Sequence, residues 1–335
     1  MKKELLEIAK RLKKESRKGK KLAIVMTVTT HHLSTNLCLF PTRYVQDFIC
    51  IPISIRNIVY GNKLIKEFDG KVDAFFVDAE NKLSSCIDLH YKLSKIIKKS
   101  KLYPLKGNDF TADSAYAIIF NLLGSLKHKR VFIVGSGNIG SKVALKLLES
   151  GAAVFVLNSN KKSTNQVARA INILKPKECQ NKMIPVSKNN FPKKIDCIIG
   201  FSRGIPIITN EMVRLVNKNG HVIDGGLGTL EPDAMSGFKK RKINIMKLDI
   251  RYGFESNASL MLNSDKLVSK IAGQKKIKNF SIVAGGIIGN YGDVIVDDIA
   301  KPTKIFGISD GRGGILKEQS KFKTNIKIIQ KKLKR

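Results

Sequence analysis

Residues 131–163, VFIVGSGNIGSKVALKLLESGAAVFVLNSNKKS, constrain the fold more than any other stretch. Four apolar residues, Val131, Phe132, Ile133 and Val134, run as a buried strand straight into Gly135. A helical apolar pattern then occupies 138–150, and a second strand-like run, 153–158, follows at the expected distance. Glycines at 135, 137 and 140 between a strand and a helix have the spacing of a dinucleotide-binding turn. Gly135 permits the tight turn, Gly137 admits a phosphate to the backbone, and Gly140 lets the helix pack on the strand. Ser136, Asn138 and Ile139 complete the turn, and the helix start offers free N–H groups and a positive dipole end to a pyrophosphate.

The end of the second strand bears on the ribose. An acid there would accept from both ribose hydroxyls and repel a 2′-phosphate. Asn158 cannot repel one. Ser159, Asn160 and Lys161, followed by Lys162 and Ser163, add donors and positive charge at that place. The expected cofactor is NADP, with NAD the alternative.

The rest of the chain alternates in the same manner. Strand-like runs at 22–29, 47–54 and 72–77 precede a helical pattern over 83–100, a turn-rich segment YPLKGNDF and a helix over 112–126. After the glycine turn the reading is helix 163–174, strand 195–200, helix 209–217, strand 220–224 and a strand near 243–248. Such alternation implies an α/β protein with parallel sheets covered on both faces. Two domains are expected: a small α/β substrate domain, 1–110, then a doubly wound Rossmann NAD(P)-binding domain, 111–275. A C-terminal extension, 276–335, has glycine-rich turns and ends in a basic helix (315–334) that is expected to pack back on the first domain.

Composition narrows the setting. No run approaches the roughly 18 to 20 apolar residues that span a bilayer. The N-terminus has no uninterrupted apolar core, so it reads as an amphipathic basic helix with Leu5, Ile8, Ala9 and Leu12 on one face, and the expected location is the cytoplasm. Five scattered cysteines without a CxxC pair indicate neither zinc nor a disulfide framework; Cys50 and Cys197 read as core residues. The net charge of +34 allows weak polyanion binding, although only 12 of the 61 basic residues are arginine and the lysines are spread throughout.

The order TADSAYAIIFNLL, KRVFIVGSGNIGSKVA, VFVLNSN resembles the shikimate/quinate dehydrogenase family within the wider amino-acid-dehydrogenase-like group. The segment DCIIGFSRGIPIIT followed by GHVIDGGLGTLEPDAM is also similar to methylenetetrahydrofolate dehydrogenases and glutamyl-tRNA reductases. The resemblance implies hydride transfer to a small-molecule substrate. It places Asp113 of Thr111-Ala112-Asp113-Ser114 opposite Lys82 as a catalytic pair across an interdomain cleft. The family's Asn and Gly are replaced by Thr111 and Ser114, and the N-terminal serine pair is absent, which argues against shikimate itself.

Other candidates come from position alone. Ser202 and Arg203 follow the strand 195–200 at the carboxyl edge where ligands bind, and Arg203 suits a substrate carboxylate. Asp224-Gly225-Gly226 ends the next strand, with Gly225 expected beside the nicotinamide. His31 and His32 follow the first strand as possible substrate contacts; adjacent in a strand, they make a poor metal pair. The reading is an NADP-preferring dehydrogenase or reductase acting on a small polar carbonyl, hydroxyl, imine or amino compound, expected to form a homo-oligomer. The alternative is a non-catalytic nucleotide-sensing protein whose basic surfaces bind nucleic acid or anionic membrane.

Overall fold

The computed structural model describes residues 2–16, 19–32 and 35–333. The chain forms two compact units, Met1–Ala258 and Ser259–Arg335. The sequence places the start of the C-terminal extension at 276; the second compact unit begins at Ser259.

The first unit opens with helix α1 (Lys2–Ser16) and strands β1 (Lys21–Val28), β2 (Leu37–Leu39), β3 (Arg43–Val45) and β4 (Phe48–Ile55). Helix α2 (Ile58–Phe68), strand β5 (Ala74–Asp78), helix α3 (Leu89–Ser94) and strand β6 (Lys101–Leu105) follow. The sheet order is β2-β4-β1-β5-β6, with β3 also on β4; β4, β1, β5 and β6 are parallel. The strands β1 and β4 are nearly continuous apolar runs, as strands covered on both faces must be. Ile8 and Leu12 carry α1 into this core, with Leu5 packed against it, while Ala9 is exposed. Cys50 is buried here, and burial raises its thiol to about 12, in keeping with a core role.

The helix expected over 83–100 is not continuous. Asp88 adopts a left-handed conformation (φ 53°) and its N–H bonds to the Asn81 side chain, which separates a single 3-10 turn from the short α3. Beyond α3, the Asp69 carboxylate accepts the N–H groups of Lys98, Lys99 and Ser100 and holds that stretch as a turn. The segment YPLKGNDF is also not a loop. YPL completes β6, and GNDF is the first turn of helix α4 (Gly107–Leu123).

After α4 come β7 (Arg130–Val134), α5 (Asn138–Glu149), β8 (Ala153–Leu157), α6 (Lys161–Leu174), β9 (Met183–Pro185) and β10 (Ile195–Gly200). Then follow β11 (Val216–Asp224), α7 (Pro232–Lys240), β12 (Asn244–Lys247) and α8 (Arg251–Lys266). All six strands are parallel in the order β9-β8-β7-β10-β11-β12. Numbered within this sheet the order is 3-2-1-4-5-6. That is the doubly wound Rossmann arrangement, with its switch point between β7 and β10. The helix expected over 209–217 is a 3-10 stretch, Asn210–Leu215, and β11 starts earlier than expected. No described helix is long and apolar enough to cross a membrane.

In the second unit, β13 (Gly273–Ile277) and β14 (Phe280–Ala284) form a hairpin. Strand β15 (Val294–Val296) runs parallel to β14, and β16 (Ile305–Ile308) antiparallel to β15. Helix α9 (Lys323–Leu333) sends Ile329 into the core of this unit, beside Phe280, Ile282 and Val294. Asp297 closes the turn after β15. Burial alone would raise its carboxyl, but the Thr303 hydroxyl and the N–H groups of Lys304 and Thr303 outweigh it and bring it down to about 2. A depressed carboxylate stabilises the fold above its ordinary value of 3.8 and loses that contribution as the pH falls towards about 2. Urea midpoints of the wild type should therefore decline across this window. Asp297→Asn should flatten that decline, and an unchanged slope would show that the turn contributes nothing.

Candidate functional site

The glycine turn sits at the switch point of the Rossmann sheet. The Gly135 N–H bonds to the Leu157 carbonyl at 2.8 Å, and the Phe201 N–H to the Val134 carbonyl at 2.8 Å. These bonds pin the turn between β8 and β10. Gly135 has φ +104°, and a Cβ there would overlap the Phe201 carbonyl oxygen. A Cβ on Gly140 would overlap the Gly135 carbonyl oxygen, so the α5 backbone touches the turn. Gly137 is the opposite case: a Cβ there would meet nothing within 4 Å.

Ser136 is 4% exposed, and its hydroxyl has no hydrogen-bond partner although it is buried. An unpaired buried hydroxyl costs about 1–3 kcal/mol, so a ligand oxygen at this turn would relieve a real cost. Gly137 caps α5 without a side chain, leaving the N–H groups of Asn138 and Ile139 at the uncapped helix start. Open space over Gly137, an orphan hydroxyl and an uncapped helix N-terminus together fit a phosphate oxygen.

At the end of β8, Asn158 accepts from the Ser159 N–H, and Asn160 caps α6 by accepting from the Ser163 N–H at 2.9 Å. The first turn of α6 carries Lys161 and Lys162, both exposed, and no acid. Cations at a helix N-terminus oppose the dipole by about 0.3–1 kcal/mol each, a cost that an anion beside them would offset.

The loops after β10 and β11 pack against each other. A Cβ on Gly225 would come within 2.6 Å of the Phe201 ring and 2.7 Å of the Gly200 carbonyl, so packing on the β10 loop is what requires glycine there. The Asp224 carboxylate holds the β11 loop by accepting from the N–H groups of Gly226, Gly228 and Thr229 and from the Thr229 hydroxyl. Ser202 closes a local turn, donating to the Ile205 carbonyl at 2.6 Å. The Arg203 side chain is exposed.

The loop after β1 reaches across to these two loops. His31 Nε2 lies 3.1 Å from the Leu227 carbonyl oxygen, and a Cβ on Gly204 would overlap the His31 ring. The His32 N–H donates to the Arg203 carbonyl at 3.0 Å, and His32 Nδ1 lies 2.7 Å from the same oxygen. A carbonyl only accepts, so the hydrogen bond puts a proton on His32 Nδ1. Arg56, after β4, donates to the His31 carbonyl at 3.2 Å. The carboxyl edges of the two parallel sheets thus meet at these histidines.

A second bridge joins the sheets through charge. Lys82 is almost enclosed, with Nζ 2.7 Å from Asp78 and 2.9 Å from Glu80. Asp78 is fully buried at the end of β5 and also accepts from the Val28 N–H at 2.9 Å. Glu80 accepts from the Asn108 N–H at the start of α4 at 2.7 Å and lies 3.8 Å from Lys142 of α5. Lys142 in turn pairs with Asp109. Asp113 lies one turn further along α4, half exposed, and pairs with Lys146 at 2.8 Å. Lys82 and Asp113 are therefore not brought together, because α4 starts at Gly107 and the first-turn acid is Asp109. Asp78, Glu80, Asp109 and Lys142 escaped the sequence reading. The signal for Asp78 and Glu80 is the string VDAENK, which ends a buried strand in two acids and a lysine; Asp109 and Lys142 have no comparable signal. No group of three or more metal-ligating side chains occurs among the described residues.

No family model matches this chain, and no curated protein matches it by sequence. Solved structures do. A shikimate dehydrogenase in complex with NADP+ is 14% identical, covering 73% of this chain and 90% of its own, with a TM-score of 0.45. The shikimate dehydrogenase from Aquifex aeolicus is 14% identical, covering 73% and 92%, with a TM-score of 0.44. The glutamyl-tRNA reductase from Methanopyrus kandleri is 20% identical, covering 48% and 41%, with a TM-score of 0.35. The fold assignment rests on the strand order.

Proposed function

We propose that this protein is an oxidoreductase that binds NADP in preference to NAD and acts on a small polar carbonyl, hydroxyl, imine or amino compound between its two parallel sheets. The observation that carries the reading is the glycine turn at the switch point, with open space over Gly137 and the buried, unpartnered Ser136 hydroxyl. Ser136, Gly137, Asn138 and Ile139 would hold the pyrophosphate. Asn158, Ser159, Lys161 and Lys162 would take the adenosine ribose and its 2′-phosphate, which explains cations at the positive end of α6. When bound, the nicotinamide supplies or accepts the hydride.

The chain's own groups would handle the proton and the substrate. Lys82 spends two of its three donors on Asp78 and Glu80 and keeps one for a substrate oxygen. His32 keeps Nε2 for a substrate hydroxyl, and Arg203 offers a planar cation to a carboxylate. Asp113, occupied by Lys146, stands apart from this set.

Fluorescence titration with NADPH and NADH tests the reading. The wild type should bind NADPH more tightly, and Lys161→Glu with Lys162→Glu should abolish that preference. Ser136→Ala should weaken NADPH binding while raising the stability of the free protein by about 1 kcal/mol, since it removes an unpaired buried hydroxyl. If the wild type binds neither nucleotide, the reading fails.

A further inference from the structure

We infer a second anion site on the opposite, amino-terminal edge of the Rossmann sheet, built for a ligand that carries at least two linked phosphate groups. A cavity of about 740 Å³ lies there between residues 188–194, which lead into β10, and residues 214–218, which lead into β11. Lys188, Lys193, Lys194, Arg214 and Lys218 line it, and no acid does.

Two observations support the site. The first is uncompensated charge: none of these five cations makes an ion pair among the described residues, and no carboxylate lines the hollow to offset them. Like charges crowded around one hollow repel one another, and an anion of high charge relieves that repulsion.

The second is backbone geometry. Lys194 has φ +56°, a left-handed conformation that costs a lysine energy and that clusters at ligand sites. The pairing register of β11 jumps from Ile195–Val216 to Cys197–His221, so residues 217–220 bulge out of the sheet and carry Lys218 to the cavity wall. Arg241 backs the wall, its guanidinium bonded to the Val213 and Val216 carbonyls. Phe191 is turned against the core ring of Phe132, with centroids 6.1 Å apart, and is not offered to a base. The hollow therefore suits phosphate groups better than stacked nucleobases.

Isothermal titration with tripolyphosphate at about 150 mM salt, on the full chain, tests this site. Binding to the wild type is expected, and the variant Lys188→Glu/Lys193→Glu/Lys194→Glu should lose it by at least about tenfold. A variant with the same charge change on the exposed side of α1, Lys10→Glu/Lys13→Glu/Lys14→Glu, should bind as the wild type does. Equal loss in both variants would reduce the effect to net charge and overturn the site. Retention in the groove variant would move binding elsewhere, to the glycine turn included, and overturn it as well. Absence of wild-type binding, or inorganic phosphate binding as tightly as tripolyphosphate, is equally fatal. An oligouridylate that displaces tripolyphosphate at lower concentration would replace the proposed ligand with RNA. Circular dichroism on each variant confirms that the exposed substitutions leave the fold intact.

Discussion

Gly135→Ala should abolish measurable NADPH binding and destabilise the protein by about 2 kcal/mol or more. Two costs add at this position. Its φ of +104° is open to glycine and strained for alanine, and the new Cβ overlaps the Phe201 carbonyl oxygen. Phe201 belongs to the loop after β10, whose N–H holds the Val134 carbonyl. The only relief is to part β7 from that loop, which would move the Ser136 hydroxyl and the α5 N-terminus away from a common ligand. Gly137→Ala is the matched control. Its Cβ meets only open space in the free protein, so stability should change little while NADPH binding falls. Chemical denaturation and the NADPH titration, run on both variants, check the pair. Full binding by Gly135→Ala would exclude the turn as the nucleotide site.

Lys82→Ala should cost about 3–5 kcal/mol, because it leaves a buried carboxylate without its cation. Asp78 is fully buried, and Glu80 is only 14% exposed, so water cannot easily replace the ammonium. The same variant should stop NADPH oxidation across a panel of small carbonyl and imine compounds if Lys82 moves the proton. Stability and chemistry are separable. Asp78→Asn combined with Lys82→Met removes the charge on both sides and should recover most of the stability. It should not recover turnover. Restored turnover would make Lys82 a structural cation and nothing more. Asp113→Ala, by contrast, breaks a half-exposed pair and should change stability by less than about 1 kcal/mol.

These expectations separate what was legible in the chain from what was not. The strand-turn-helix at 131–150 could be read because every residue in it is constrained by its neighbours in sequence. Apolar residues end at a glycine, and helical periodicity starts three residues later. Lys161 and Lys162 were legible as charge beside the end of the second strand, but the sequence starts the helix at 163, whereas α6 starts at Lys161 and puts both cations in its first turn. The helix over 83–100 was misread because its apolar spacing is genuine, yet Asp88 and the Asp69 carboxylate, 31 residues before Ser100, divert the backbone. No local pattern records such a bond.

The acidic partners of Lys82 were hidden in another way. Asp78 looks like an ordinary end of a strand until β1 supplies the Val28 N–H that fixes it. Likewise the sequence places His31 and His32 only after the first strand, as candidate substrate contacts. Their meaning depends on the Arg203 and Leu227 carbonyls, which are 171 and 196 residues away. Sequence by itself determined an alternating α/β chain with a strand, glycine turn and helix at 131–150, since strand, turn and helix propensities act over a few residues. Tertiary structure alone decided the 3-2-1-4-5-6 strand order, the grouping of Lys82 with Asp78 and Glu80 in place of Asp113, and the unpaired cations around the amino-edge cavity. Those features are made by sheet pairing and burial between distant segments, where charge and hydrogen-bond partners are chosen by space and not by spacing.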